Sequence, residues 1–250
     1  MSAVPDTSTE LSIKSPHSLF IGGRWQKPAE AGELKVISPV TEQVVMTFAE
    51  ATPKDIDRAV AAAREAFDKG PWPRMSPQER GAALIKVAEL LTARLPELSQ
   101  AWTTQVGAPI SLTRYLAHQA PELFEYYGKL IQSYPFVDER RRDDGGLVRV
   151  VKEPVGVVAA ITPWNAPLVL LCYKVAAGLA AGCTIVAKPS PETPMDAYIL
   201  AECIEAAGLP PGVINFVPGQ GSKIAPQLVD DPEFSISSTS SVFLVMNLAV

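Results

Sequence analysis

The fold is decided by three apolar segments, VGVVAAI (residues 155–161), CTIVA (183–187) and VINFV (213–217). Continuous apolar, β-branched runs of this length are typical of strands buried on both faces of a parallel sheet. Between them, apolar residues recur at helical spacing over 168–179 and 195–207, and Gly182 and Gly208 follow these two predicted helices. The order strand, helix, strand, helix, strand predicts an α/β fold with an open parallel sheet, right-handed crossovers and flanking helices.

Ligands of such a sheet bind outside the carboxyl ends of its strands. We therefore expect a site at the three loops that follow the strands, at 162–167, 188–194 and 218–222. The first loop reads TPWNAP and the second KPSPETP, so prolines fix the backbone around the polar side chains. The Gly-x-Gly-x-x-Gly fingerprint is absent, since GQG at 219–221 is only a fragment of it. A dinucleotide would therefore bind this Rossmann-like core in a different mode from the usual one.

The pattern upstream changes from strand-like to helical near Thr52. The pattern of residues 19–50 is short and strand-like, and strands are predicted at 19–21, 24–25, 35–37 and 43–48. Thr52 and Ser76 are predicted N-caps, each followed by a proline, and Glu79 completes a capping box with Ser76. Further helices are predicted over 96–106 and 111–131. Residues 19–145 are thus a layer of strands and helices that precedes the sheet, and residues 146–234 are the partial Rossmann-like core.

Composition excludes several classes of function. The chain has 250 residues, is 47% hydrophobic and 20% charged, and carries a formal net charge of −5, which is typical of a globular protein without a nucleic-acid partner. The densest basic run, 140–142, precedes Asp143 and Asp144 and is interpreted as a solvated, self-compensated loop. No segment is apolar for the length of a membrane span, so no membrane partner is expected. Residues 1–18 are predicted to be a disordered leader and not a secretory signal.

The cysteines do not indicate a disulfide framework or a metal site. Cys172, Cys183 and Cys203 are an odd number without metal-ligand spacing, and the two histidines lie far apart. Each cysteine falls in an apolar helix or strand context, so all three are interpreted as buried structural residues. We expect a cytoplasmic protein, because thiols stay reduced there.

Three ordered motifs resemble the aldehyde dehydrogenase superfamily, namely ITPWN at 161–165, GCTIVAKPS at 182–190 and GLPPGVIN at 208–215. The segment AVAAAREAFDKGPW at 59–72 is also similar, and the resemblance covers about residues 19–233. It implies an aldehyde dehydrogenase-like fold, incomplete in this chain. It also implies the reaction of a small-molecule aldehyde with NAD(P)+ and water to give a carboxylate and NAD(P)H. A homo-oligomer is the assembled state that the resemblance implies, and we expect it to be compromised here.

The same resemblance implies roles for matching residues. Asn165 matches the asparagine whose side-chain amide contributes to the oxyanion hole, where a neutral donor stabilises developing negative charge. Trp164 matches a residue beside the cofactor pyrophosphate, and Lys188 matches one that hydrogen-bonds the adenosine ribose. The other implied cofactor-binding residues line the same cleft: Ile161, Thr162, Pro163, Ser190, Pro191 and Gly219. Taken alone, a tryptophan at a strand end usually packs, and an asparagine in a proline-rich loop is usually a turn residue.

Two departures from the family pattern bear on function. Many members place a glutamate three residues after the matching lysine, whereas this chain has Pro191 there and Glu192 next, which leaves NAD and NADP both open. After Phe234 the family continues with a strand and a Phe-Thr-Gly-Ser turn, whereas residues 235–250 are interpreted as a tail outside the family pattern. The family's general-base glutamate and nucleophilic cysteine are not found here. We therefore expect a truncation by a frameshift or a premature stop near residue 234.

The sequence is compatible with three functional classes. The chain is an oxidoreductase completed by a second polypeptide, a remnant that binds dinucleotide without turnover, or a product that misfolds or pairs with full-length relatives. Residues 146–153 match a strand that pairs between subunits in the family, so an oligomerisation-type strand is predicted there. Substrate-tunnel residues would come from 112–127 and 168–171, where the apolar side chains are equally well explained as core.

Overall fold

The computed structural model describes residues 11–238, and of residues 225, 230 and 236–238 it describes the backbone alone. The strands of this part are β1 (Leu19–Ile21), β2 (Arg24–Gln26), β3 (Glu33–Ile37), β4 (Val44–Ala49), β5 (Val137–Arg141), β6 (Leu147–Val151), β7 (Val157–Ile161), β8 (Thr184–Lys188), β9 (Ile214–Phe216) and β10 (Ile236–Ser238). The helices are α1 (Pro53–Asp68), α2 (Pro77–Ala93), α3 (Leu95–Val106), α4 (Ile110–Ala117), α5 (Gln119–Ser133), α6 (Pro167–Ala181), α7 (Met195–Ala207) and α8 (Gly221–Asp230).

A six-stranded sheet carries the fold, in the order β10-β7-β8-β9-β1-β2. The four strands from the second half of the chain are parallel, and α6 and α7 connect β7 to β8 and β8 to β9. This confirms the predicted α/β architecture with its open sheet and flanking helices. The sheet is mixed, however, because β1 pairs antiparallel with β9 and with β2. All three residues of β1 are buried. Adding this strand to the sheet removes its apolar side chains from water, which lowers the free energy of the folded state.

Helices cover both faces of the sheet. Val157, Ala159 and Val186 pack on one face with α1 and α8. Val158 and Ala160 point to the opposite face, which α2, α3, α5, α6 and α7 cover. Because successive residues of a strand face opposite sides, burial of all of them requires helices on both sides, as the continuous apolar runs predict.

The hairpin of β5 and β6 lies outside the main sheet, although residues 146–153 were assigned to the core region. Every residue of β6 is exposed. The predicted loop at 140–142 is wrong in part, since the first two arginines lie on β5. The predicted self-compensation is observed for Arg142, which pairs with Asp144 at 3.1 Å. Arg140 pairs with Asp138 at 2.8 Å, and Arg149 pairs with the cross-strand residue Glu139 at 2.7 Å. The pairs do not make the hairpin polar, because five large apolar side chains of the two strands are exposed, namely Val137, Leu147, Val148, Val150 and Val151.

Two helices differ from the prediction. The helix expected over 111–131 is divided into α4 and α5 at His118. Pro121 explains the break, because it has no N–H to donate to the carbonyl of Ala117 four residues earlier. Helix α8 was not predicted, and it contains Pro226. Its buried residues Ile224 and Leu228 are four positions apart, as on one face of a helix. One such pair in a segment of this length is too weak a pattern to predict a helix.

Part of the predicted leader packs on the domain. Leu11 and Ile13 contact the core, and the backbone N–H of Lys14 donates to the Glu202 carboxylate at 2.8 Å. Tyr198 Oη donates to the carbonyl of Ser18 at 2.9 Å. The prediction of a disordered leader is therefore wrong for residues 11–18, because this segment satisfies polar groups of α7, and residues 1–10 lie outside the described range.

None of the helices within residues 11–238 has the length and apolar character that a membrane crossing needs.

Candidate dinucleotide cleft

The carboxyl ends of the central parallel strands lie side by side. Ile161 is the register partner of Lys188, and the N–H of Thr162 donates to the Lys188 carbonyl at 3.1 Å. The N–H of Val217 donates to the Ala187 carbonyl at 2.9 Å. The three loops at which the sequence predicts a site therefore begin next to one another.

A cleft of about 520 Å³ opens between the second and third loops. It falls within the range of about 300–1,000 Å³ that small-molecule sites occupy. Its lining consists of Glu33, Leu34, Lys35, Pro191, Glu192, Gln220, Gly221 and Ser222. Strand β3 thus forms one wall, which sequence patterns did not reveal because β3 is more than 150 residues from the second loop.

The second loop presents a cation, a hydroxyl and a carboxylate in sequence. Lys188 is 5% exposed, and its Nζ donates to the Pro189 carbonyl at 3.2 Å. Burial lowers the pKa of Lys188, and the charge of Glu192 opposes this effect. Ser190 Oγ is hydrogen-bonded to Oε2 of Glu192, whose side chain is exposed at the cleft. A ligand that carries hydroxyl groups finds both donors and an acceptor here.

Two further observations fit a dinucleotide. Helix α8 begins at the cleft with Gln220 at its N-cap position, and no side chain caps this end. Free N–H groups at a helix N-terminus favour a phosphate group. Thr162 Oγ1, at the end of β7, is buried without a hydrogen-bond partner among the described residues. Such an orphaned hydroxyl is costly unless a ligand or water satisfies it.

The first loop lies apart from this cleft. Trp164 is 56% exposed and Asn165 is exposed, and neither contributes to the cleft lining. Pro163 is partly exposed, and α6 begins two residues after Asn165. The residues that the resemblance assigns to chemistry are therefore presented on the surface of the described part of the chain.

Packing within the chain requires a glycine at position 219 whether or not a ligand binds. A Cβ at this position would lie 2.8 Å from Ile224 Cδ1 and 3.0 Å from the Ala51 carbonyl oxygen. The N–H of Ala51 also donates to the Pro218 carbonyl at 2.7 Å. The absence of a side chain lets the third loop approach the end of β4, which places α8 at the cleft.

An ion pair beside the third loop has no signal in the sequence. Lys223 Nζ lies 2.9 Å from Oε1 and 3.1 Å from Oε2 of Glu50, and the Glu50 side chain is largely buried. The pair joins α8 to the residue after β4. No periodic signal could have found it, because the two residues are 173 positions apart.

The three cysteines are free and buried, which agrees with their interpretation as structural residues. Burial raises the pKa of Cys203 to about 11, and it also raises the pKa of Cys172 and of Cys183. None of them therefore supplies a thiolate near neutral pH. Within residues 11–238, no group of three or more histidine, cysteine or carboxylate side chains is placed to hold a metal ion.

Comparison with known proteins decides the family. The model of the aldehyde dehydrogenase family matches residues 25–243. The chain belongs to the aldehyde dehydrogenase family. It is 39% identical over 229 residues to 3-succinoylsemialdehyde-pyridine dehydrogenase of a Pseudomonas species, and 38% identical over 223 residues to geranial dehydrogenase of Castellaniella defragrans. These alignments cover 90% and 89% of this chain but 46% of each relative, so the chain spans about half the length of the curated relatives it matches.

Solved structures of this family share the fold. Aldehyde dehydrogenase C of Pseudomonas syringae, complexed with NAD+ and octanal, is 36% identical with a TM-score of 0.86, and the match covers 93% of this chain and 47% of that one. Betaine aldehyde dehydrogenase of Staphylococcus aureus, in complex with NAD+, is 30% identical with a TM-score of 0.88, covering 92% and 46%.

The family match corrects the predicted boundary of the tail. It extends to residue 243, beyond the expected departure at 235. Strand β10 pairs parallel with β7, with Ile236 opposite Val158, and the N–H of Ser235 donates to the Val157 carbonyl at 2.9 Å. The strand forms because the open edge of β7 offers backbone hydrogen bonds to any extended segment. Residues 239–250 lie outside the described range.

Proposed function

We propose that this chain is the cofactor-binding part of an NAD(P)-dependent aldehyde dehydrogenase, which converts an aldehyde and water to a carboxylate. The observation that carries the proposal is the cleft between the second loop and the N-terminus of α8. Glu192 and the uncapped start of α8 line this cleft, and Lys188 and Ser190 are buried in the loop that carries Glu192. NAD+ in the solved relatives supports a nicotinamide dinucleotide as the ligand.

The residues of the cleft would divide the binding between sugar and phosphate. Lys188 would donate to a ribose hydroxyl in exchange for the carbonyl of its neighbour Pro189. The N-terminus of α8 would stabilise pyrophosphate charge. The Thr162 hydroxyl, which has no described partner, is available to the ligand or to a bound water. When bound, the dinucleotide supplies the hydride acceptor of the oxidation.

Asn165 would contribute one donor to an oxyanion hole, and its exposure leaves the amide accessible to a substrate. The buried cysteines do not provide the nucleophile. We therefore propose that the thiolate and the general base come from residues that these 250 do not include, and that this chain alone binds dinucleotide without turnover. Buried reduced thiols also support a cytoplasmic location.

The proposal is tested by titrating the purified chain with NADH and with NADPH by fluorescence, and by assaying aldehyde oxidation in the same sample. We expect saturable binding of at least one of them, weakened about tenfold or more by Lys188→Met, which removes a charged hydrogen-bond donor. Lys69→Met, at an exposed position outside the cleft, is the matched control and should bind as the parent does.

Two results would contradict the proposal. A folded chain that binds neither nucleotide would overturn the cofactor assignment. Aldehyde oxidation above background would overturn the placement of the nucleophile outside this chain.

A further inference from the structure

Three helices share one sequence pattern at their start, a serine or threonine, a proline, any residue and an acid. The pattern occurs at 52–55 before α1, at 76–79 before α2 and at 193–196 before α7. In the first two, the carboxylate accepts from the N–H and the hydroxyl of the first residue at 2.7 to 3.0 Å, as in a capping box. Helices α1 and α2 begin at the proline, whereas α7 begins one residue later, at Met195, and no side chain of the pattern caps it. The third capping box is therefore open.

The carboxylate of the third pattern is held by a different helix. Gln105, in the last turn of α3, donates from Nε2 to Asp196 Oδ2 at 2.8 Å, and its Oε1 accepts from the N–H of Met195 at 3.1 Å. Gln105 is 5% exposed and Asp196 is 1% exposed. Among the described residues, Asp196 Oδ1 and Thr193 Oγ1 are buried without a hydrogen-bond partner. The amide of Gln105 thus takes the place of the capping box at the start of α7.

The N–H of Thr193 has two candidate acceptors. In the structure it donates to the Ser190 carbonyl at 3.2 Å, which closes a turn of the second loop. In a closed box it would donate to Asp196, as the corresponding N–H groups donate to the carboxylates at α1 and α2. A backbone N–H is a single donor. Closing the third box would therefore open the turn at Ser190.

The burial of Asp196 favours a closed box once Gln105 is removed. Burial raises the pKa of the Asp196 carboxyl, and the hydrogen bond from Gln105 opposes this rise. A buried carboxylate that lacks donors is costly. A closed box would supply two donors, the N–H and the hydroxyl of Thr193, in exchange for the bond to Ser190.

We infer that Gln105 is a positioning residue for the dinucleotide, because it keeps Asp196 away from Thr193 and so preserves the turn of the second loop. Gln105 does not itself line the cleft, so it acts through the backbone between Ser190 and Asp196. This inference rests on the proposed function, because it requires the nucleotide to bind at the second loop.

The experiment measures dissociation constants for NADH and NADPH by fluorescence at about pH 8.5, which favours the ionised form of Asp196. Gln105→Met should weaken binding about tenfold, because the competent loop falls to about a tenth of the population. Combining Gln105→Met with Asp196→Ala should restore the affinity to within about threefold of the parent, since no carboxylate remains to close the box. A role of Gln105 in packing alone predicts no recovery, because the double variant loses further contacts.

Gln100→Met is the matched control, because Gln100 lies on the same helix and its amide donates to Thr104 within that helix at 3.3 Å. It should bind as the parent does, and an equal loss in this variant would overturn the inference. An unchanged affinity in Gln105→Met would also overturn it while leaving the proposed function standing.

The double variant gives the sharpest result. An affinity as weak as that of Gln105→Met alone would show that the box plays no part and would overturn the inference. A folded parent that binds neither nucleotide would overturn the proposed function and the inference together. Circular dichroism verifies that each variant is folded, and if Gln105→Met does not fold, Gln105→Asn replaces it in the same comparison, because it withdraws the amide by one methylene.

Discussion

At the scale of single residues, two glycines before β9 differ in the space around them. Gly208 has φ +78° and open space where a Cβ would lie, whereas Gly212 has φ +81° and its Cβ would lie 2.5 Å from the Ala62 carbonyl oxygen. Gly208→Ala should lower the free energy of unfolding by about 1–2 kcal/mol, the cost of a left-handed alanine. Gly212→Ala should cost a further 1–3 kcal/mol or so, because the backbone of α1 must also move.

Urea denaturation of the two variants measures this difference, with Gly208→Ala as the control for backbone conformation alone. An equal decrease in the free energy of unfolding for the two variants would show that the close contact with Ala62 does not add to the cost of Gly212→Ala.

At the scale of one element, the capping box at the start of α2 gives a pH-dependent prediction. Ser76 Oγ accepts from the N–H of Glu79 at 3.2 Å, and the Glu79 carboxylate accepts from the N–H and the hydroxyl of Ser76. These bonds lower the pKa of Glu79. Their contribution is therefore present above the ordinary pKa of a glutamate and is lost as the pH falls through the lowered value. Ser76→Ala should cost about 1 kcal/mol at pH 7 and less at pH 3.

Thermal denaturation at the two pH values checks this prediction, and Ser76→Thr is the control because it keeps the hydroxyl. A destabilisation by Ser76→Ala that is the same at both pH values would contradict a role for the Glu79 carboxylate in the cap.

At the scale of the whole molecule, the β5–β6 hairpin and the central sheet should differ in local stability. The hairpin is a separate pair of largely exposed strands, whereas β7 and β8 are buried with helices on both faces. Isolated hairpins open at little cost, whereas buried strands open only with global unfolding. Hydrogen exchange at low protein concentration should therefore be about a hundredfold or more faster in β5 and β6 than in β8.

Exchange measured over a range of protein concentrations tests whether the hairpin also serves as a contact between copies. Protection of β6 that rises with concentration would support the predicted oligomerisation-type strand. Protection equal to that of β8 in the most dilute sample would contradict the independence of the hairpin.

Asn215 shows why part of the fold lay beyond sequence patterns. It belongs to a motif that carried the family resemblance, yet its function in the fold is visible only in three dimensions. It is fully buried, and its Oδ1 accepts from the N–H of Gly22 at 2.8 Å. Its Nδ2 donates to the carbonyls of Ile185 and Gly212 at 3.2 and 3.0 Å. One side chain thus ties the β1–β2 turn to the central strands across 193 positions of sequence.

The sequence by itself determined the alternation of β7, α6, β8, α7 and β9 and the loops at their carboxyl ends. These features depend on hydrophobic period and on local terminators such as Gly182, whose φ of +93° ends α6. Only the tertiary structure decided that β1 joins β9, that β3 forms a wall of the cleft and that Lys223 pairs with Glu50. Local patterns carry the period of an element but not its partner, because pairing between distant segments depends on the shape and burial of the assembled core.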